Sequence, residues 1–138
     1  MTVTKSESET RELASKIGER LKERKILYLT GDLGSGKTTS TKGLAQYLGI
    51  SHFMIKSPTY TYIRKHKTNS GEDFYHIDLY RIEVIDELLL HEIEELMENE
   101  ENLIVVEWAD RLTEKPKKGI EINLKFIDEN TRELQINE

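Results

Sequence analysis

The chain has 138 residues, 20 basic against 26 acidic, a net charge of −6 and no cysteine, so one domain spanning 1–138 with one core is expected. The absence of cysteine excludes a disulfide framework, a thiolate zinc site and a cysteine nucleophile. A pI of 5.3 argues against a free-standing nucleic-acid binder, and the polar start and short apolar runs give neither a signal peptide nor a membrane span, so a cytoplasmic protein is expected.

From Ser6 to Arg24 the chain reads as a helix: Ser6 and Glu9 fit a capping box, and Leu13, Ala14, Ile17 and Leu21 form a stripe at helical spacing. Ile26 to Leu29 is an apolar run of strand length ended by Gly31. A second helix is predicted from Lys37 to Leu48, with Gly49 as its C-terminal cap. Phe53 to Lys56 suggests a short strand, interrupted by Ser57 and Pro58. Tyr60 to Lys65 and Asp73 to Ile77 read as strands joined by the polar turn Thr68–Gly71. Ile85 to Glu98 turns helical, with a break expected near His91 and an apolar face of Leu89, Ile93, Leu96 and Met97. The uninterrupted run Leu103 to Val106 suits a central parallel strand covered on both faces. Ile120 to Ile127 and Arg132 to Ile136 form the last two strands, around a turn at Asp128–Asn130. Alternating α and β elements followed by a hairpin-rich remainder predict an α/β fold, a mixed sheet with helices on both sides.

The sharpest motif is Gly31-Asp32-Leu33-Gly34-Ser35-Gly36-Lys37-Thr38, which satisfies G-x-x-x-x-G-K-[ST]. Its glycines let the backbone curl so that N–H groups of residues 34 to 38 point at phosphate oxygens, and the following helix adds the positive end of its dipole. Lys37 places an ammonium on the β/γ oxygens, and the Thr38 hydroxyl can ligate Mg²⁺. Such a pattern also occurs as an ordinary glycine-rich turn. Here it lies between an apolar strand and a helix, the setting in which it binds a nucleotide.

A phosphate loop needs a second acid near the magnesium, and Glu107 sits where it belongs, directly after the Leu103–Val106 strand. Asp78 also follows a strand; its open roles are to orient an attacking water or to cap a turn. His76 reads as a site residue or a hydrogen-bonded structural histidine, and Arg81 as a site residue or a surface charge. Thr59, in Ser57-Pro58-Thr59-Tyr60, offers a hydroxyl to sense a γ-phosphate, or belongs to a proline turn. Trp108, the single tryptophan, packs near the nucleotide or anchors the core. The basic stretches 64–67 and 115–118 read as solvated loops before RNA contacts, and the acidic run 92–101 as the outer face of a helix.

No [NT]-K-x-D stretch reads guanine, and no arginine-rich lid marks a nucleoside-phosphate kinase, so ATP is the expected nucleotide. The segments 31–39, Ser-Pro-Thr-Tyr at 57–60, His-Ile-Asp-Leu-Tyr-Arg at 76–81 and Val-Glu-Trp-Ala-Asp-Arg at 106–111 follow one another in order. Together they resemble the TsaE (YjeE) family, the small ATPase of bacterial threonylcarbamoyladenosine tRNA modification, over residues 8 to 111. The resemblance implies a P-loop NTPase-like three-layer fold with a mixed parallel/antiparallel sheet flanked by helices. It also implies ATP and Mg²⁺ as cofactors, TsaD and TsaB as partners, tRNA reached through that complex, and ATP hydrolysis that supports its turnover. Carried over by position, Lys37, Asp78 and Glu107 are the catalytic residues, and Thr38 and Glu107 the magnesium ligands. Glu9, Thr10, Asp32, Leu33, Gly34, Ser35, Gly36, Lys37, Thr38, Thr39, Thr59 and Trp108 contact the nucleotide. Ser35 stands where the family pattern leads us to expect alanine, at a position contributing mainly backbone. Rival readings are a small P-loop kinase with its own acceptor and a nucleotide-dependent switch without turnover.

Overall fold

A computed structural model describes residues 1–32, 34–50 and 62–138; Leu33 and residues 51–61 lie outside the described residues. The expected strand Phe53–Lys56, Thr59 and the start of the Tyr60–Lys65 strand therefore fall outside them.

The element order is β1 (Thr2–Thr4), α1 (Glu7–Arg24), β2 (Ile26–Gly31), α2 (Lys37–Tyr47), β3 (Ile63–Lys67), β4 (Asp73–Asp78), α3 (Glu87–Glu98), β5 (Leu103–Glu107), β6 (Ile120–Phe126) and β7 (Arg132–Asn137). The seven described strands form one sheet in the order β1-β7-β6-β2-β5-β4-β3. At its centre β2 runs parallel to β5 and β6, and β4 runs parallel to β5. The outer pairs β1–β7, β6–β7 and β3–β4 are antiparallel. This is the mixed sheet expected.

Strand periodicity divides the apolar side chains between two cores. On one face Leu27, Leu29, Phe74, Leu103, Val105, Ile122 and Leu124 pack under Ala14, Ile17 and Leu21 of α1 and Leu44, Ala45 and Leu48 at α2. On the other, Ile26, Tyr28, Ile77, Ile104 and Val106 pack against Ile93 and Met97 of α3. All five residues of β5 are buried, because helices cover the sheet on both sides.

The helix ends follow local chemistry. Ser6 caps α1 by accepting the Glu9 N–H at 3.0 Å, while the Glu9 carboxylate takes the Lys5 N–H. Past the end of α2, Ile50 N–H bonds to Ala45 O at 2.8 Å and Gly49 N–H to Gln46 O at 3.2 Å, the paired bonds of a Schellman cap. Helix α3 begins after Asp86, whose side chain accepts the Leu89 N–H at 2.8 Å. It runs through His91 without the break expected there; His91 is exposed and reaches Glu95 one turn on at 3.3 Å, which suits an unbroken helix. The acidic run forms largely the exposed side of α3 and the loop that follows it.

Strand β1 and its pairing with β7 were not foreseen, nor was the 3-10 turn Ala109–Arg111 that follows β5. The basic stretch 64–67 lies on β3, at the sheet edge, where Lys67 pairs with Asp73 at 2.9 Å and Lys65 reaches it at 3.6 Å.

Candidate functional site

The C-terminal ends of β2, β4 and β5 open toward one cavity of about 420 Å³, within the range that small-molecule sites occupy. Gly34, Gly36, Lys37, Thr38 and Thr39 of the glycine-rich segment line it, with Asp78, Glu107 and Trp108 on the neighbouring strand ends. Thr10 on α1 completes the part of the wall expected from the sequence.

The loop from β2 into α2 turns through Gly34 (φ +79°) and Gly36 (φ +107°), backbone angles that side-chain-bearing residues rarely adopt. Gly36 is the N-cap of α2, so the open N–H groups of that helix begin at the cavity. Lys37 folds over the loop: Nζ donates to Gly31 O at 2.6 Å, Asp32 O at 2.7 Å and Ser35 Oγ at 3.2 Å. Ser35 is fully buried, so its side chain supports Lys37 and does more than hold a backbone position. Nζ also lies 4.0 Å from the centre of the Trp108 ring, a cation–π contact. Burial pushes the Lys37 ammonium below its ordinary pKa, against the pull of Glu107, Asp110, Asp32 and Asp78.

Glu107 ends β5 and is buried, 1% exposed. Residues 103, 105 and 107 alternate onto the face that carries α2, which brings the carboxylate beneath that helix. Thr38 Oγ1 donates to Oε1 at 2.8 Å and Thr41 Oγ1 to Oε2 at 3.0 Å, while His76 Nε2 also bonds to Oε2. Burial would raise this carboxyl, but the hydrogen bonds from His76, Thr38 and Thr41 bring it below its ordinary value.

Asp78 stands beside Glu107 at the end of β4 and is 8% exposed. Its Oδ1 accepts the Tyr80 N–H at 3.0 Å. Burial first, and the Glu107 charge second, push its carboxyl above the ordinary value. Trp108 combines both roles left open for it: it lines the cavity and packs on the α3-side core, with Tyr80 5.0 Å away between ring centres. Its backbone is left-handed (φ +59°), which turns the chain sharply away from β5.

The remaining expected residues divide. Asp32 contributes its carbonyl to Lys37, and its residue is exposed. Glu9 is at the α1 cap and does not line the cavity, whereas Glu7, two residues earlier in the same turn, does. Thr10 lies within 2.5 Å of Thr4 Oγ1, tying α1 to β1 beside the cavity. Leu33 and Thr59 lie outside the described residues.

Sequence reasoning did not single out Thr41, though its spacing from Lys37 and Thr38 puts it on the same face of α2. It also missed the far wall, Glu129, Asn130 and Arg132 from the β6–β7 turn, where Arg132 Nε donates to Gly34 O at 3.1 Å. Tyr62 and Tyr80 close the side nearest β4 together with Arg81, which is exposed and lines the cavity, so it is both a surface charge and a residue of the cavity wall.

The family model for "Threonylcarbamoyl adenosine biosynthesis protein TsaE" matches residues 4–134, reaching past Arg111 into β7. Over 135 residues the chain is 36% identical to the tRNA threonylcarbamoyladenosine biosynthesis protein TsaE of Rickettsia felis, covering 96% of this chain and 76% of that one. Its identity to the protein of the same name from Aquifex aeolicus is 35% over 135 residues, covering 97% and 92%. The crystal structure of Bacillus subtilis YdiB superposes with a TM-score of 0.67 at 31% identity, covering 96% of this chain and 80% of that one.

Proposed function

The chain belongs to the TsaE family of threonylcarbamoyl adenosine biosynthesis proteins, and from that premise we propose that its cavity binds ATP with Mg²⁺ and hydrolyses it. The biosynthesis of threonylcarbamoyladenosine in tRNA is the process it serves. Within that process it acts with TsaD and TsaB in the cytoplasm as a single-domain ATPase, slow alone and stimulated by its partners, and meets tRNA through them. No described helix is long and apolar enough to cross a membrane.

The observation that carries this reading is the Thr38–Glu107 hydrogen bond, which joins the first turn of α2 to the end of β5 inside the cavity. Phosphates would lie against the N–H groups of residues 34–38, with Lys37 leaving its loop carbonyls for the β/γ oxygens. The Thr38 hydroxyl and the Glu107 carboxylate are hard oxygen donors that fit Mg²⁺ and would hold it there. When bound, the cation neutralises charge on the transferring phosphoryl group. Asp78, buried and displaced upward in pKa, is placed to orient a water and accept its proton. Thr10, Asp32, Leu33, Ser35, Thr39, Trp108, Glu9 and Thr59 retain their expected places around the nucleotide as proposals.

Phosphate release from Mg·ATP, measured with and without TsaD and TsaB, tests this reading in wild type, Lys37→Ala and Glu107→Ala. Partner-stimulated release that both substitutions abolish is expected. Tight nucleotide binding, read from Trp108 fluorescence, with no release under any condition would overturn hydrolysis in favour of a switch.

A further inference from the structure

His76 is completely buried in the middle of the sheet, at a position where β4 pairs with Val105 of β5. Phe74, two residues earlier on the same face, packs as an ordinary core side chain. An imidazole in such a place is costly unless its polar atoms are used. One of them is: Nε2 bonds to Glu107 Oε2. The other, Nδ1, is buried with no hydrogen-bond partner among the described residues. An orphaned lone pair is tolerated better than an orphaned N–H, so the proton belongs on Nε2, where Glu107 receives it.

We propose that His76 is the positioning residue for Glu107: its Nε2–H pins Oε2, so that Oε1 orients the Thr38 hydroxyl toward magnesium. The proposal rests on the reading of the cavity as a Mg·ATP site. Thr41 alone is a weak anchor, because its single hydroxyl proton is shared between Glu107 Oε2 at 3.0 Å and Lys37 O at 3.1 Å. Among the described residues His76 makes no other hydrogen bond, so holding the carboxylate is its one hydrogen-bonding task there. With Oε2 taken by two donors and Oε1 by Thr38, Glu107 has its orientation set from three sides. A Thr38 whose proton goes to Oε1 meets a cation through oxygen lone pairs. A carboxylate so oriented would present itself and the Thr38 hydroxyl to the ion together, with His76 in the outer-shell role that fixes ligand geometry in metal sites.

Two measurements test it. In the metal-free protein, ¹⁵N NMR of labelled histidine should show a proton on His76 Nε2. In the second, Mg²⁺ is titrated against hydrolysis and against binding of a fluorescent ATP analogue in three variants. His76→Gln carries its amide N–H close to the reach of Nε2, His76→Asn places it near Nδ1, and His76→Leu has no donor. We expect His76→Gln to keep the wild-type magnesium midpoint, and His76→Asn and His76→Leu to raise it roughly 10–100-fold, the usual effect of losing an outer-shell partner. Analogue affinity without magnesium should stay within about twofold in all three, which a general collapse of the site would not allow. An Nε2 that carries no proton, or equal midpoints for Gln and Leu, overturns the proposal. If wild type binds no Mg·ATP analogue, the functional reading fails and the magnesium role of His76 falls with it. The NMR result then still decides whether His76 holds Glu107.

Discussion

Asp78 lies directly opposite Glu107 in the parallel register of β4 and β5, and the next residue, Leu79, donates its N–H to the Glu107 carbonyl at 3.2 Å. Two acids are thus held side by side at the strand ends, one well supplied with hydrogen-bond donors and one poorly supplied. Environment pushes their pKa values apart: Glu107 down and Asp78 up. That divergence suits a division of labour between a fixed anion and a proton acceptor.

A raised carboxyl in the folded state means that folding favours the protonated form of Asp78. The stability this contributes is complete below the unfolded-state pKa and is lost as pH rises through the folded value. At neutral pH the ionised Asp78 therefore costs stability. Asp78→Asn keeps an oxygen for the Tyr80 N–H and removes the charge, so it should melt above wild type at neutral pH while losing phosphate release. The difference in Tm should close in acid, below the ordinary carboxylate range. A variant that melts at or below wild type at neutral pH would contradict the assignment.

Glu107 has the opposite sign. Its depressed carboxyl contributes stability that is present above the unfolded-state pKa and lost as pH falls through the folded value. Thr41→Val removes one of its donors without changing the shape of the side chain much. Urea unfolding at neutral pH should show a loss of about 1.5–3 kcal/mol, the range for a hydrogen bond to a charged group. The gap between the two proteins should narrow as the carboxylate is protonated. A gap that is constant through acid pH would mean that Thr41 acts through Lys37 O alone.

The residues that were legible in the sequence carry their information locally. The glycine-rich loop, the Ser6 cap and the Gly49 cap each involve neighbours within a few positions, so spacing alone exposes them. The buried β5 strand was legible because an apolar run without alternation has few other homes. What was hidden depends on partners far along the chain. His76 and Thr41 meet Glu107 from 31 and 66 residues away, and Arg132 reaches Gly34 across 98. Three-residue β1 offers too short a pattern to recognise before β7 pairs with it. The supposed break in α3 came from reading an isolated polar residue as an interruption, whereas His91 faces outward in a continuous helix.

Helices α1 and α2 approach so closely at Gly43 that a Cβ there would lie 2.1 Å from the Arg11 carbonyl oxygen. Backbone cannot yield as a side chain can, so Gly43→Ala should push the helices apart and cost about 3 kcal/mol, the upper part of the range for overpacking. Gly18 makes an informative contrast. A Cβ there would meet Tyr47 Cδ1 at 2.6 Å, Cγ at 2.8 Å and Cβ at 3.1 Å, so the ring must turn and the side chain must shift at its base, but no backbone atom stands in the way. Relief of glycine's helix penalty, about 1 kcal/mol, offsets part of that repacking, and Gly18→Ala should cost less than Gly43→Ala. Urea midpoints of the two variants check the ordering; equal losses would refute the helix–helix contact as the cause.

Tyr28 gives the alkaline limit of stability. Its ring is fully buried on the α3 side of the sheet, and its hydroxyl donates to Lys117 O at 2.6 Å. Burial, aided by the charge of Glu121, pushes the phenol from 10.0 up to about 12. Between those values the unfolded chain loses the phenolic proton while the folded chain keeps it. Stability that is complete below the unfolded value therefore falls as pH climbs toward the folded one, by up to about 1.4 kcal/mol per pH unit. Tyr28→Phe removes that slope. It also removes the bond to Lys117, at a loss of about 1 kcal/mol where the phenol is protonated in both states. The variant should thus be the less stable protein near pH 8 and draw level with or overtake wild type near pH 11. Urea unfolding across that interval checks the crossing, and the difference between the two proteins cancels the lysines and other tyrosines that titrate there. A difference that stays constant with pH would show that Tyr28 titrates as it does in water.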